Sequence, residues 1–233
     1  MTEWRPRVFW QEVTVGEVEG GYGVFLDGRP VRTPNRALLT LPTRGLAELV
    51  ASEWAAQEEV IHPENMPATR LANSAIEKVR PVREDVAALV VSYGEADLLC
   101  HRADAPAALV RRQAEGWDPL IDWAAALGIR LQVAAGIMPI RQDGDALVRL
   151  GCEVAVMDDF RLAAFHELVT LSGSIIIALA VVHGVRDPEL AWELSRIDED
   201  WQAAQWGRDA EAETAAAVRR GDFLFAARFH ALA

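Results

Sequence analysis

The chain has 233 residues, 51% hydrophobic and 25% charged, with a formal net charge of −12. That length suits one large domain or two small ones with a real core, and the composition excludes a disordered chain. The acid excess repels phosphate backbones and anionic membrane surfaces, so neither nucleic-acid binding nor membrane insertion is expected.

Met1 to Pro6 contains no basic stretch followed by an apolar core, so no signal peptide is expected. Arg7 to Val15 alternates loosely through Val8, Trp10, Val13 and Val15 and reads as a first strand. Gly20-Gly21 gives a turn, and Tyr22 to Leu26 a second strand. Asp27-Gly28 is a strong two-residue hairpin signal, because both positions tolerate positive φ. Leu38 to Leu41 supplies a further short strand of what is expected to be a small antiparallel sheet.

From Thr43, a fitting N-cap, the period changes to that of a helix. Leu46, Leu49, Val50 and Trp54 fall on one face, and Trp54 is expected to pin this helix to the sheet. A second helix is expected over residues 68–79. The domain boundary is placed at Pro81, giving a small α+β domain over 1–81 and a mainly helical domain over 82–233.

Beyond Pro81 the pattern predicts helices over residues 83–93, 106–127, 144–155, 159–182, 188–206, 209–220 and 223–232. Gly128, Gly184, Gly207 and Gly221 stand where C-terminal caps belong. The most apolar run, Ile175 to Val182, is far shorter than the roughly 20 residues of a membrane span and reads as a buried helix. Leu131 to Ile137 fits either a strand or a buried connection. The fold class is α+β, a small N-terminal antiparallel sheet with covering helices followed by a mainly α-helical domain.

Signatures of catalysis are weak. Lys78 is the only lysine, and no glycine loop precedes it, so a phosphate-binding loop is absent. Gly16, Gly20, Gly21 and Gly23 do not follow a strand and open a helix, as a dinucleotide fingerprint requires. His62, His101, His166, His183 and His230 show no metal-ligand spacing. Cys100 and Cys152 form no framework and suit buried apolar positions in a reducing compartment. Ser172-Gly173-Ser174 lacks an assignable acid and histidine, and reads as small residues that let another helix pack close. Carboxylate pairs such as Asp158-Asp159 leave one alternative, a small-molecule or metal-dependent hydrolase using acidic residues of the helical domain. The expectation is no enzyme, no metal, no cofactor and no small-molecule substrate.

One segment stands out. Asp187 to Glu213 holds nine acids against two arginines, together with Trp192, Trp201 and Trp206. At about 100° per residue, Leu190, Leu194, Ile197 and Trp201 form one face, a core stripe. Trp192, Glu199 and Trp206 fall on roughly the opposite face, where a surface helix is normally polar. Indoles there suit a binding hot spot, unless neighbouring helices cover both faces. Acids at Asp209, Glu211 and Glu213 suit the positive end of a following helix.

Six phrases in order carry a family resemblance. They are Leu26-Asp27-Gly28-Arg29-Pro30-Val31-Arg32-Thr33-Pro34, Glu53-Trp54-Ala55-Ala56-Gln57 and Met66-Pro67-Ala68-Thr69-Arg70-Leu71. Further on come Tyr93 with Asp97-Leu98-Leu99-Cys100-His101-Arg102, then Gln113 with Trp117-Asp118-Pro119. The last is Trp201-Gln202-Ala203-Ala204-Gln205-Trp206-Gly207 followed by Asp209 and Glu211. Together they cover nearly the whole chain, which resembles the assembly chaperones of the F-type ATP synthase alpha subunit, in mitochondria called ATP synthase assembly factor 2. Ala55 and His101 stand where the family often has an acid and a tyrosine.

The resemblance implies a chaperone that binds the unassembled alpha subunit, shields its beta-facing surface and is displaced when beta arrives. With no organelle-targeting extension visible, it implies a bacterial cytoplasmic member. The expected contacts with the alpha subunit are Trp192, Glu199, Gln202, Trp206, Asp209, Glu211 and Glu213. The expected structural residues are Asp27, Gly28, Trp54 and Trp201. Arg29, Arg32, Arg70 and Arg102 fit either partner carboxylates or internal pairs with Asp97 or Asp118.

Overall fold

A computed structural model describes residues 7–136, 140–207 and 209–233. The chain forms two compact units. One takes the chain through Arg83, with Asp158–Ala164 and Arg228–Ala233; the other takes Glu84–Met157 and Phe165–Ala227.

The first unit is built on a four-stranded antiparallel sheet. Strand β1 (Val13–Val18) pairs with β2 (Gly21–Leu26), which also pairs with β3 (Arg29–Pro30) and β4 (Thr40–Leu41). The turn between β2 and β3 is the one expected. Asp27 (φ 47°) and Gly28 (φ 77°) are both left-handed, the geometry that matches the twist of a tight hairpin. The Asp27 carboxylate does a second job, accepting from the amides of Gln11 and Glu12 at 3.0 and 2.9 Å. Those amides are thereby withdrawn from a ladder. This corrects the expected first strand, which begins at Val13 rather than Arg7; Arg7 makes an isolated bridge to Val60.

Helix α1 (Arg44–Ala55) starts at Thr43, whose hydroxyl accepts from the Leu46 amide as expected. Its buried face, Leu46, Ala47, Leu49 and Val50, lies on β1 and β2. Trp54 is half-buried and packs edge-on against buried Trp10 at 5.3 Å between ring centres. Glu53 caps α2 (Pro67–Ser74), accepting from the Ala68 and Thr69 amides at 2.6 and 2.8 Å. After α2 the helix widens into a π turn over Ala75–Val79 and tightens over Arg80–Val82 before α3 (Arg83–Ser92). The chain thus stays helical through Pro81.

The second unit is mainly helical. It contains all of α3 but Arg83, α4 (Ala107–Ala126), α5 (Gly144–Ala155), α7 (Ile175–Val182), α8 (Pro188–Ser195) and α9 (Ile197–Trp206), with parts of α6 (Asp159–Ser172) and α10 (Ala210–Leu232). A short parallel pair, β5 (His101–Arg102) with β6 (Ala134–Ala135), resolves part of the ambiguous 131–137 segment; Ile137 lies outside the described residues. Cys100 is buried, and desolvation pushes its thiol up to about 12, so it is protonated at neutral pH. Cys152 is exposed, against expectation.

Three helix boundaries correct the sequence reading. The 159–182 segment is two helices, because Gly173 turns left-handed (φ 70°) and Ser174 caps α7 through the Ile177 amide. Ser172-Gly173-Ser174 is therefore a helix break, and the short helical turn at Leu98–Cys100 packs close against it, the Leu98 amide donating to the Gly173 carbonyl at 3.1 Å. The 188–206 segment breaks at Arg196. Gly221 caps nothing: it sits inside a single 23-residue helix, α10. Gly128, Gly184 and Gly207 do take positive φ at helix ends.

The N-terminus of α7 rests on a fully buried carboxylate. Asp97 accepts from Ser174 Oγ at 2.8 Å, from the Leu99 amide at 2.9 Å and from the Ile176 amide at 3.2 Å. Burial raises its pKa to about 6 despite these donors, which pull the other way. Among the described residues no helix is long and apolar enough to cross a membrane.

Candidate functional site

The acidic, tryptophan-bearing segment forms a corner of the second unit, and its foot is held by α4. Gln113 is buried; its amide nitrogen donates to Asp198 Oδ1 at 2.6 Å, while its oxygen accepts from the Ala103 amide at 2.8 Å. Trp117 is fully buried and donates from Nε1 to the Leu194 carbonyl at 2.8 Å. The Arg102 guanidinium stacks over the Trp117 ring at 5.2 Å and pairs with Asp118 at 2.8 Å. This gives Arg102 an internal partner, one of the two weighed for it. Gly116 lets Leu194 and Ile197 come close, since a Cβ there would meet them at under 3 Å. A buried amide, an indole and a missing side chain thus fix where α8 ends and α9 begins.

The break at Arg196 changes which residues face inward. A single 100° stepping does not carry from α8 into α9, so the expected core stripe splits: Ile197 is buried, Leu194 and Trp201 are half-buried, and Leu190 is 55% exposed. Trp192, expected on the opposite face with Trp206, is buried at 5% exposure and packs against Phe223 with ring centres 5.7 Å apart. Arg196 lies over the Trp192 ring at 6.0 Å and pairs with Glu199 at 3.2 Å.

Trp206 is the opposite case. It ends α9 with 83% of its surface exposed, directly before Gly207 (φ 98°). Asp209 then accepts from the Glu211 amide at 3.2 Å at the start of α10. Glu211 and Glu213 follow in its first turn, where the helix dipole favours carboxylates.

The facing sides of α9 and α10 enclose an open groove of about 1100 Å³. Glu199, Gln202, Trp206, Asp209 and Glu213 all line it, so five of the seven residues named from sequence meet in one place. Glu211 is exposed beside the groove, and Trp192 lies beneath the surface. Gln113, Gly116 and Trp117, which position the corner, escaped the sequence reading of the site. Their signal was the phrase Gln113…Trp117-Asp118-Pro119, whose role emerges only when α4 is brought against α8 and α9.

Among the described residues no group of three or more His, Cys, Asp or Glu side chains could hold a metal ion. The corner offers an exposed indole, carboxylates and an alanine-lined floor, which suit contact with a protein surface.

Residues 7–125 match the family described as ATP12 chaperone protein. The chain is 25% identical over 214 residues to the mitochondrial protein atp12 of Schizosaccharomyces pombe, covering 86% of this chain and 74% of that protein. The crystal structure of Atp12 from Paracoccus denitrificans is 54% identical, covers 97% of each chain and superposes with a TM-score of 0.94. The Atu1473 protein of Agrobacterium tumefaciens is 40% identical, with a TM-score of 0.91 over 97% of this chain and 85% of that one.

Proposed function

This chain belongs to the ATP12 chaperone family, chaperones of F1-ATPase assembly rather than enzymes, and from that premise we propose that its client is the unassembled alpha subunit. In this reading it covers the alpha surface that later faces beta and leaves when beta arrives. The observation that carries the reading is Trp206, an indole 83% exposed that lines the groove between α9 and α10. A solvent-facing tryptophan has no value for folding, yet it supplies large contact area at low entropic cost when a partner covers it.

In this reading the client surface is apolar and would aggregate when bare, so it needs a holder. Holding must also be reversible. A small apolar patch among charged side chains of both signs gives moderate affinity and leaves dissociation fast enough for exchange. The reading places the protein in the compartment where the subunits are assembled, the cytoplasm for a bacterial member and the mitochondrial matrix for eukaryotic relatives.

The test is a pull-down with separately purified subunits. The chaperone is expected to capture alpha and keep it soluble, to ignore beta, and to release alpha when beta is added. Capture of beta alone, or stable attachment to an alpha–beta complex, would overturn the reading.

A further inference from the structure

We infer that the loop at residues 32–38 of the first unit is a second contact for the client. Arg32 and Arg36 take carboxylates of an acidic segment of the alpha subunit, and Leu38 covers an apolar side chain beside them. The inference rests on the proposed capture of alpha and adds a contact of a different chemistry from the acidic corner.

The loop leaves the edge of the sheet as a projecting hairpin. The Val31 amide still donates to the Val24 carbonyl at 2.8 Å, and Leu39 returns to donate to the Val31 carbonyl at 3.1 Å. Between them Arg32 bridges Leu38, and the Thr33 amide donates to the Ala37 carbonyl at 2.9 Å. Within 32–38 only Thr33 is buried. Its hydroxyl accepts from the Ala37 amide at 3.1 Å, and its carbonyl accepts from the Arg36 amide at 2.8 Å. The Asn35 amide donates to Glu77 Oε1 at 2.7 Å, which ties the tip to the π turn. The tip is therefore held in shape before any partner arrives, and docking costs little ordering entropy.

Opposed residues of an antiparallel bridge place their side chains on the same side, about 4.5–5.5 Å apart at Cβ. Arg32 and Leu38 are such a pair, and Leu38 is 45% exposed. Arg32 Nη1 also donates to the Arg36 carbonyl at 2.8 Å, which sets its guanidinium beside Arg36. Arg36 takes φ 69°, strained for a residue with a side chain and natural for glycine, although Asn35, which tolerates it better, stands next to it. The tip thus presents a guanidinium at a position where the backbone favours none.

Charge selects the occupant. Arg102 has Asp118 as an internal partner, whereas among the described residues no carboxylate pairs with Arg32 or Arg36. Two carboxylates border the segment, and both accept backbone amides: Glu77 from Asn35 at the tip, and Asp27 from Gln11 and Glu12 at the β2–β3 turn. Exposed Glu12 and Arg29 lie at that turn as well, away from the tip. The tip therefore carries two arginines against one engaged carboxylate, in a chain of net charge −12. That net charge repels nucleic acid and a second copy of this chain, and an exposed leucine gains nothing from a phosphate. An acidic protein segment with an apolar residue suits both parts, because the planar guanidinium fork matches a carboxylate.

Two measurements on the full chain test this. Arg36→Gly removes a guanidinium and relieves the backbone, so the unfolding midpoint is expected to be no lower, while affinity for isolated alpha falls by about threefold at low salt. Arg32→Gln with Arg36→Gly is expected to weaken capture by roughly tenfold at low salt, with a deficit that shrinks as salt rises. The control, Arg44→Gln with Arg161→Gln, removes the same charge from the same unit at arginines that already face Glu48 and Asp158. It is expected to leave affinity unchanged. If the unsubstituted chain captures alpha and the double variant captures it equally well, or if the control loses as much, the loop inference falls while alpha capture stands. If the unsubstituted chain does not capture alpha, both fall. The second measurement places a photoreactive side chain at position 38 and maps the cross-links, which are expected on a segment of alpha that contains Asp or Glu. Cross-links to a segment without them, or only to a second copy of this chain, would contradict the inference.

Discussion

Helix α7 and the corner formed by α9 and α10 belong to the same unit, and both depend on carboxylates, but they use them in opposite ways. At α7, Asp97 is fully buried and its oxygens are taken up by Ser174 and by helix-start amides, beneath a helix whose residues Ile175 to Ala180 are all buried. At the corner, Glu199, Asp209 and Glu211 face solvent and the neighbouring Trp206 is 83% exposed. The first arrangement serves the fold, because a buried acid is tolerated only when its hydrogen-bonding capacity is met. The second leaves apolar and acidic surface open, which beyond local contacts such as Asp209 with the Glu211 amide adds little to folding, and the proposed function gives it to a partner. Substitutions should therefore separate stability from capture.

The largest expected loss is at the core side of the comparison. Trp117→Ala removes a fully buried indole, its bond to the Leu194 carbonyl and the surface under Arg102. It should cost about 3–5 kcal/mol in urea unfolding and disorder the foot of α9, so capture should be lost with stability. Equal stability of the variant would mean that α4 does not hold the corner.

Asp97 gives a pH signature. Its pKa is about 6 in the folded chain, above the ordinary 3.8. Between these values the folded chain keeps a proton that the unfolded chain releases, so stability falls as pH rises through the window and levels off above it. The full effect is about 3 kcal/mol. Asp97→Asn should remove this contribution, so the difference between the two unfolding curves should change from pH 4 to 6 and stay constant above pH 7. A constant difference throughout would show that the donors around Asp97 offset its burial.

The smallest expected effect is at the surface. Glu211→Lys puts a cation in the first turn of α10, costing at most about 1 kcal/mol of stability. If the acidic rim steers the client, capture should weaken by roughly threefold to tenfold at low salt, and the deficit should shrink as salt rises. An unchanged salt dependence would remove Glu211 from the interface.

Much of the fold was legible locally. Asp27-Gly28 dictates its hairpin, and Thr43 starts α1, because each acts on amides within a few residues. The helix breaks were not legible. Ser174 caps α7 while hydrogen-bonded to Asp97, 77 residues earlier in the chain, and Arg196 sits where α4 fixes the ends of two helices. The missed break had a direct consequence for the site. Carrying one helical period across Arg196 put Trp192 on the surface with Trp206, whereas it lies against Phe223. The acidic corner itself was legible from its composition. The groove was not, because alanines carry no signal until two helices are seen to face each other across them.

The most direct test of the division between fold and capture is Trp206→Ala, assayed in parallel by urea unfolding and by titration with isolated alpha subunit. The indole is exposed, so unfolding stability should change by less than about 0.5 kcal/mol. Affinity should fall by roughly tenfold or more, as for a hot-spot tryptophan. Unchanged affinity, or a loss of stability that accounts for the weaker binding, would contradict the assignment of this corner to the client.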